Sequence, residues 1–298
     1  MAITTTGDFG ELLEPGLRSV YGTAYKSYPE QYTKIFDVRT SGKRTEYMLS
    51  ISGFGLVNAK TESASVDYDE PVQGFKSSQT AVTYGKGFSI SREMYEDDQY
   101  NIINKYPKAL ARSNRVTIEQ TGADVLNRAF NSSYTGGDTK ELCATDHPLI
   151  GGGTYANELS TSADFDVTSL EQALLDIGDM VDDRGLLLQA MGKKLVGPPE
   201  LQFQFARTLK STLDPESAMN TVNAVANVLP FEINNYLTDP DAWFIITDIP
   251  DGLICYWRRK PEFTRDNDFD SENAKFKTTF RVSFGWGDPR QIFGSPGA

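Results

Sequence analysis

Between residues 102 and 129 one set of side chains, Ile102, Tyr106, Leu110, Val116, Thr121, Val125 and Ala129, returns to the same side of a helical wheel. Pro107 suits a first helical turn and Phe130 marks an end, so the spacing predicts a helix over 107–130, roughly 24 residues and ~36 Å long. A helix of that length acts as a spine and must be covered along one side by other elements. Gly122 inside it costs about 1 kcal/mol against Ala, which points to close approach of another element there.

Other segments read as strands. Phe276, Thr278, Phe280, Val282 and Phe284 alternate, as a strand with one buried face should. Tyr47, Leu49 and Ile51 alternate with polar residues, and Val82, Tyr84, Phe88 and Ile90 do so again, which reads as the two arms of a long hairpin over 46–91. Between those arms lies a Gly-, Ser- and acid-rich stretch far longer than the usual ~2 to 5 residue hairpin loop. LLLQAMGKKLVG, AWFIITDI and GLICYWRRK also read as strands, and PPELQFQFARTLKST as a helix opened by its prolines. A further helix is expected to start with Thr168 and Glu171 as a capping box and to stop at Gly185. Leu12, Leu13, Leu17, Val20, Tyr21 and Ala24 form a short apolar stripe, with Pro15 in a first turn. That stripe either packs on its own domain or is an arm on a neighbour. Helices and strands mix without a regular βαβ repeat, so the class is α+β.

The residue content excludes several functions. A formal charge of -12 opposes tight nucleic-acid binding, which needs cations to neutralise phosphates. No apolar run approaches the ~20 residues that span a bilayer, and the start MAITTTGDFG lacks a signal-peptide pattern, so no membrane role is expected and the chain is expected to stay in the cytoplasm. Only Cys143 and Cys255 occur, too few for a disulfide framework.

No catalytic, cofactor-binding or metal-binding residues emerge. His147 is the single histidine, and Cys143 lies four residues before it, so a Cys/His hydrolase is a remote alternative; a loop-anchoring histidine is the commoner case. One histidine excludes multi-histidine metal sites. Asp266, Asp268 and Asp270 imitate the opening of a calcium loop, but Ser271 and Lys277 stand where Gly and Glu are required, and the stretch reads as a solvated acidic turn. The chain is read as a non-enzyme.

The ordered series GDFGELLEPGLRSVYGTAY, ISGFGLVNAK, SREMYEDDQYNIINKYPKALARS, CATDHPLIGGGTYAN, KKLVGPPELQFQFARTLKST, RDNDFDSENAKFKTT and FGWGDPRQIFGSPGA resembles, along the full length, the Mu-like major head subunit family of tailed phages. The resemblance implies the tailed-phage major capsid fold: an N-terminal arm (1–45), an extended β-hairpin loop (46–91), a peripheral domain with the spine helix (92–165 and 256–298) and an axial domain (166–255). It implies a major capsid protein that self-assembles into hexamers and pentamers of an icosahedral head, built in the host cytoplasm and residing in the virion. The implied partners are a scaffolding protein, a portal, decoration or cement proteins, and double-stranded DNA enclosed without sequence-specific contacts, which suits the negative charge. Subunit contacts are expected from Leu12, Leu17 and Tyr21 in the arm and Phe54, Lys60, Asp67, Asp69 and Glu70 in the hairpin, with ordinary surface or local packing as the competing reading. An encapsulin-like compartment, which uses a similar fold, is the alternative.

Overall fold

The computed structural model of the chain describes residues 10–91, 93–94, 97, 102–213, 222–267 and 273–298, the side chains of 10–15 and 267 excepted. Asp268, Asp270 and Ser271 of the acidic turn lie outside the described residues.

Two four-stranded sheets organise the fold, and β5 (His147–Pro148) pairs with β6 (Thr154–Tyr155) in a separate two-stranded ribbon. The first has the order β1 (Asp37–Thr40), β10 (Leu253–Asn267), β11 (Ala274–Trp286), β4 (Val82–Ile90). β1 runs parallel to β10 and the other pairs are antiparallel. On β11 the residues Phe276, Thr278, Phe280 and Val282 are buried, as their alternation predicts. Cross-strand register sets Tyr84 opposite Phe280 and Phe88 opposite Phe276, and these rings stack at centroid distances of 5.2 and 5.1 Å.

This ladder corrects the expected hairpin. The alternation in 82–90 serves β11, because its aromatic residues find partners there. The strand that pairs with β2 (Thr45–Ile51) is β3 (Gln73–Thr80), whose polar sequence QGFKSSQT carries no alternation.

The spine is α2 (Lys105–Asn127), shorter than expected at the C-terminal end. Its buried face consists of Pro107, Leu110, Ala111, Asn114, Arg115, Ile118, Glu119, Gly122, Ala123 and Leu126, rotated from the stripe read in the sequence because three polar residues are buried with partners. Asn114 donates to the Tyr21 hydroxyl at 2.7 Å and to Thr278 Oγ1 at 3.0 Å. Arg115 pairs with Glu30 at 2.8 Å. Glu119 accepts the Gln31 and Tyr32 N–H groups at 3.0 and 2.9 Å, although burial raises its carboxyl above the usual range. At Gly122 a Cβ would stand 3.2 Å from the Phe284 ring and 3.4 Å from Tyr32 Cβ, so the close approach expected there is made.

The second sheet has the order β12 (Ile292–Ser295), β9 (Trp243–Thr247), β7 (Gly192–Gly197), β8 (Phe231–Ile233). Only the end of the stretch LLLQAMGKKLVG is strand. α3 (Val167–Gly178) and α4 (Gln202–Lys210) pack on this sheet through Phe165, Leu170, Ala173, Ile177 and Phe205 against Trp243, Ile245 and Phe293. The cap of α3 differs from expectation. Asp166, not Thr168, is the N-cap, exchanging hydrogen bonds with Ser169, while Phe165 and Leu170 bury together as a staple. The helix ends at Gly178; Gly185, with φ of +81°, belongs to the turn that follows. The short turn Pro289–Gln291 carries the chain from the first sheet to β12 in the second.

α1 (Gly10–Ser27) starts before Pro15 and lies along α2. Among the described residues no helix is long and apolar enough to cross a membrane.

Candidate assembly surface

The β2–β3 hairpin projects its apolar side to solvent. Register pairs Tyr47 with Ser78, Leu49 with Lys76 and Ile51 with Gln73 on one face, and Glu46 with Gln79 and Met48 with Ser77 on the other. The first face is exposed: Tyr47 is 60%, Leu49 45% and Ile51 67% accessible. The second face turns inward and buries Ser77 and Gln79. A strand ordinarily buries its apolar set and exposes the polar one, because the side-chain period of two assigns each set to one face. Here the assignment is inverted. Lys76 Nζ sits 4.0 Å above the Tyr47 ring, holding that ring on the open side.

The inversion continues into the loop. Phe54 (62%), Leu56 (81%), Val57 (97%) and Tyr68 (91%) are exposed in a stretch without regular structure. The loop is nonetheless tied. The Gly55 N–H donates to Asp69 at 2.8 Å, Asn58 Nδ2 to Asp67 at 3.0 Å, and the Arg184 guanidinium to the Glu70 carbonyl at 2.6 Å and to Asp69 at 3.3 Å. The Gly55 N–H, with Arg184 behind it, holds the Asp69 carboxyl below its ordinary range. A cleft of about 370 Å³ separates the hairpin root from the turns at 182–183 and 287–290.

Of the residues expected at an interface, Phe54, Lys60, Asp67, Asp69 and Glu70 all stand exposed on this projection. Leu17 and Tyr21 do not: both are buried against Ile90, Leu110, Ala111, Phe263 and Phe276 of their own chain. The competing reading, local packing, holds for these two, because the apolar stripe of α1 meets the spine and the first sheet. Leu12 lies in α1 among the residues whose side chains are not described. Sequence reasoning missed Tyr47, Leu49 and Ile51 as surface residues, since alternation says that a strand has an apolar face and not which way it turns. It also missed Arg184. Leu56, Val57 and Tyr68 were legible as apolar side chains inside an otherwise polar loop.

The Cys143 and His147 pair is not a catalytic arrangement. Both residues are fully buried, and the His147 ring nitrogens face Asp138 at 2.6 Å and Asn157 at 3.0 Å, leaving neither to take a thiol proton. Burial holds the Cys143 thiol well above its ordinary pKa, the reverse of an activated nucleophile. Among the described residues no group of three or more His, Cys, Asp and Glu is placed to hold a metal ion.

The sequence profile of a family described as "Phage capsid protein" matches residues 76–294. No curated protein matches the sequence. The fold is similar to that of a chain in the procapsid of bacteriophage JBD30, with a TM-score of 0.55 at 14% identity over 98% of this chain and 76% of that one. It is also similar to a chain in the capsid of cyanophage P-SCSP1u, with a TM-score of 0.61 at 10% identity over 89% and 86%. A virus-like particle from Pyrococcus furiosus shares the fold at a TM-score of 0.51 and 12% identity, over 94% and 98%. Since the profile spans the spine helix, the second sheet almost entirely and all of the first sheet but β1, the chain belongs to the phage capsid protein family.

Proposed function

We propose that this chain is the major capsid protein of a tailed phage, forming hexamers and pentamers of an icosahedral head around double-stranded DNA, and that the β2–β3 hairpin is a principal subunit contact. The observation that carries the reading is the exposed apolar side of the hairpin. A monomer leaving Tyr47, Leu49, Ile51, Leu56 and Val57 in water gains on burying them, at about 25 cal/mol per Å² of apolar area. The hairpin offers one surface and needs a different one on its neighbour, a heterologous contact of the kind that closes rings.

In this reading residues 1–45 are the arm and, of 46–91, the β2–β3 hairpin is the extended loop while β4 joins the peripheral sheet. Residues 92–165 and 256–298 form the peripheral domain and 166–255 the axial domain, with β12 reaching across to the axial sheet. Assembly takes place in the host cytoplasm on a separate scaffolding protein around a portal, with decoration or cement proteins as further partners, and the product resides in the virion. The role is structural, without an active site. Family membership favours the phage head over an encapsulin-like compartment.

The double variant Leu49→Asp, Ile51→Asp tests this. Both positions are exposed, so the isolated subunit is expected to keep its circular dichroism spectrum and its stability to within ~0.5 kcal/mol. Sedimentation and electron microscopy are expected to show rings or shells for the wild type with its scaffold and only slow-sedimenting species for the variant. Normal shells from the variant would remove the hairpin from the interface.

A further inference from the structure

The region 131–166 has little regular structure, yet it is fixed at a buried polar joint between the two sheets. Asn157 is the centre of that joint. Its Nδ2 donates to the carbonyls of Leu142 (2.8 Å), Pro289 (2.9 Å) and Ile292 (3.1 Å). Its Oδ1 accepts the Ala144 N–H at 2.8 Å. The Asn157 N–H donates to the Ala144 carbonyl, and the Gly294 N–H donates to the Asn157 carbonyl. Pro289 lies in the turn after β11, and Ile292 and Gly294 lie on β12, so one side chain holds the excursion to the connection between the sheets.

These contacts fix which end of the amide is oxygen. Reversing it would set an NH₂ group against the Ala144 N–H and an oxygen against three carbonyls. His147 Nε2 therefore faces an acceptor, Asn157 Oδ1 at 3.0 Å, and must carry a proton to bond it. His147 Nδ1 faces a second acceptor, the Asp138 carboxylate at 2.6 Å, short even beside ordinary charge-assisted N–H to carboxylate bonds. Both ring nitrogens thus point at oxygen, whereas a neutral imidazole has one donor and one acceptor.

We propose that His147 is held with protons on both ring nitrogens, as an imidazolium that bridges Asp138 to Asn157, the residue that ties the 131–166 excursion to the junction between the two sheets. The pair holds two protons and is neutral as a whole. Withdrawing one would leave a lone pair on Nδ1 facing the carboxylate beside a fully buried ring, with a net charge of one that low-dielectric surroundings penalise. Other groups surround the ring. Tyr155 stacks on it at 5.0 Å, and Arg290, paired with Asp183 and Asp288, covers the far face of Tyr155 at 4.3 Å. Glu158 is close enough that the His147 charge lowers its carboxyl pKa, although burial outweighs this and raises it overall.

Because the chain has one histidine, heavy-nitrogen labelling of histidine gives a single ring to observe by NMR, in solution for the free subunit or with magic-angle spinning for assembled particles. Near neutral pH two ring N–H signals are expected; one unprotonated ring nitrogen would overturn the proposal. In the same sample the Ala144, Asn157 and Gly294 N–H groups, which close the joint, are expected to be protected from hydrogen exchange. In Asp138→Asn the carboxamide donates to Nδ1, so the Nδ1 proton signal is expected to vanish, and its persistence counts against Asp138 as the partner. If that variant does not fold, the wild-type spectrum decides alone.

Discussion

At the scale of single residues, buried polar side chains do the work of registration. Asn114 ties α1, α2 and β11 together through Tyr21 and Thr278, and Glu119 satisfies the two N–H groups where the chain leaves α1 for the first sheet. Asn157 does the same for the excursion and β12. An apolar replacement cannot satisfy such partners, and an orphaned buried acceptor costs ~1 to 3 kcal/mol. Asn157→Ala leaves three carbonyls and two N–H groups, those of Ala144 and the His147 ring, without their bonds, so a loss of about 3 kcal/mol is expected in urea denaturation of the unassembled subunit. A loss under about 1 kcal/mol would mean that water replaces the amide.

At the scale of elements, the spine and its sheet depend on a gap where a side chain is missing. Gly122 brings α2 against Tyr32 and Phe284, and those rings in turn pack edge-on at 5.7 Å. Gly122→Val inserts two methyls beyond a Cβ that is already tight, so it is expected to lower stability by ~1 to 3 kcal/mol by overpacking, read as a lower thermal midpoint. The hairpin is the opposite kind of element. Little of its own chain packs on its outer face, so its substitutions belong to assembly and not to folding. Its second strand, β3, was illegible because neither face is apolar: one side turns to solvent, and the other, carrying Ser77 and Gln79, turns inward to a cleft lined also by Val282, Phe284 and Trp286.

At the scale of the whole molecule, stability is expected to depend on pH through buried acids that stay neutral. Burial pushes the Cys255 thiol from 9.0 to about 12 and, with the nearby Glu30 charge, the Tyr32 phenol from 10.0 to about 12. In the unfolded chain both ionise near their ordinary values while the folded chain keeps its protons, so the unfolded state binds fewer protons and stability falls as pH rises. Stability is therefore expected to be unaffected by these groups below about pH 9 and to decline from there towards about pH 12, as chemical denaturation across that range would show. Replacing Cys255 by Ala should flatten the decline. What the sequence by itself determined was local: the spine helix, the alternation of β11, the α+β class and the absence of a multi-histidine metal site follow from periods of 3.6 and two and from residue counts, which are properties of neighbours in the chain. The partner of β4, the outward turn of Tyr47, Leu49 and Ile51, the inward turn of Leu17 and Tyr21, and the cap at Asp166 were decided only by tertiary structure. Each of those depends on which distant segment offers a complementary face, such as the Phe276 and Phe280 ladder that draws β4 away from β2, and no pattern within a single segment encodes that choice.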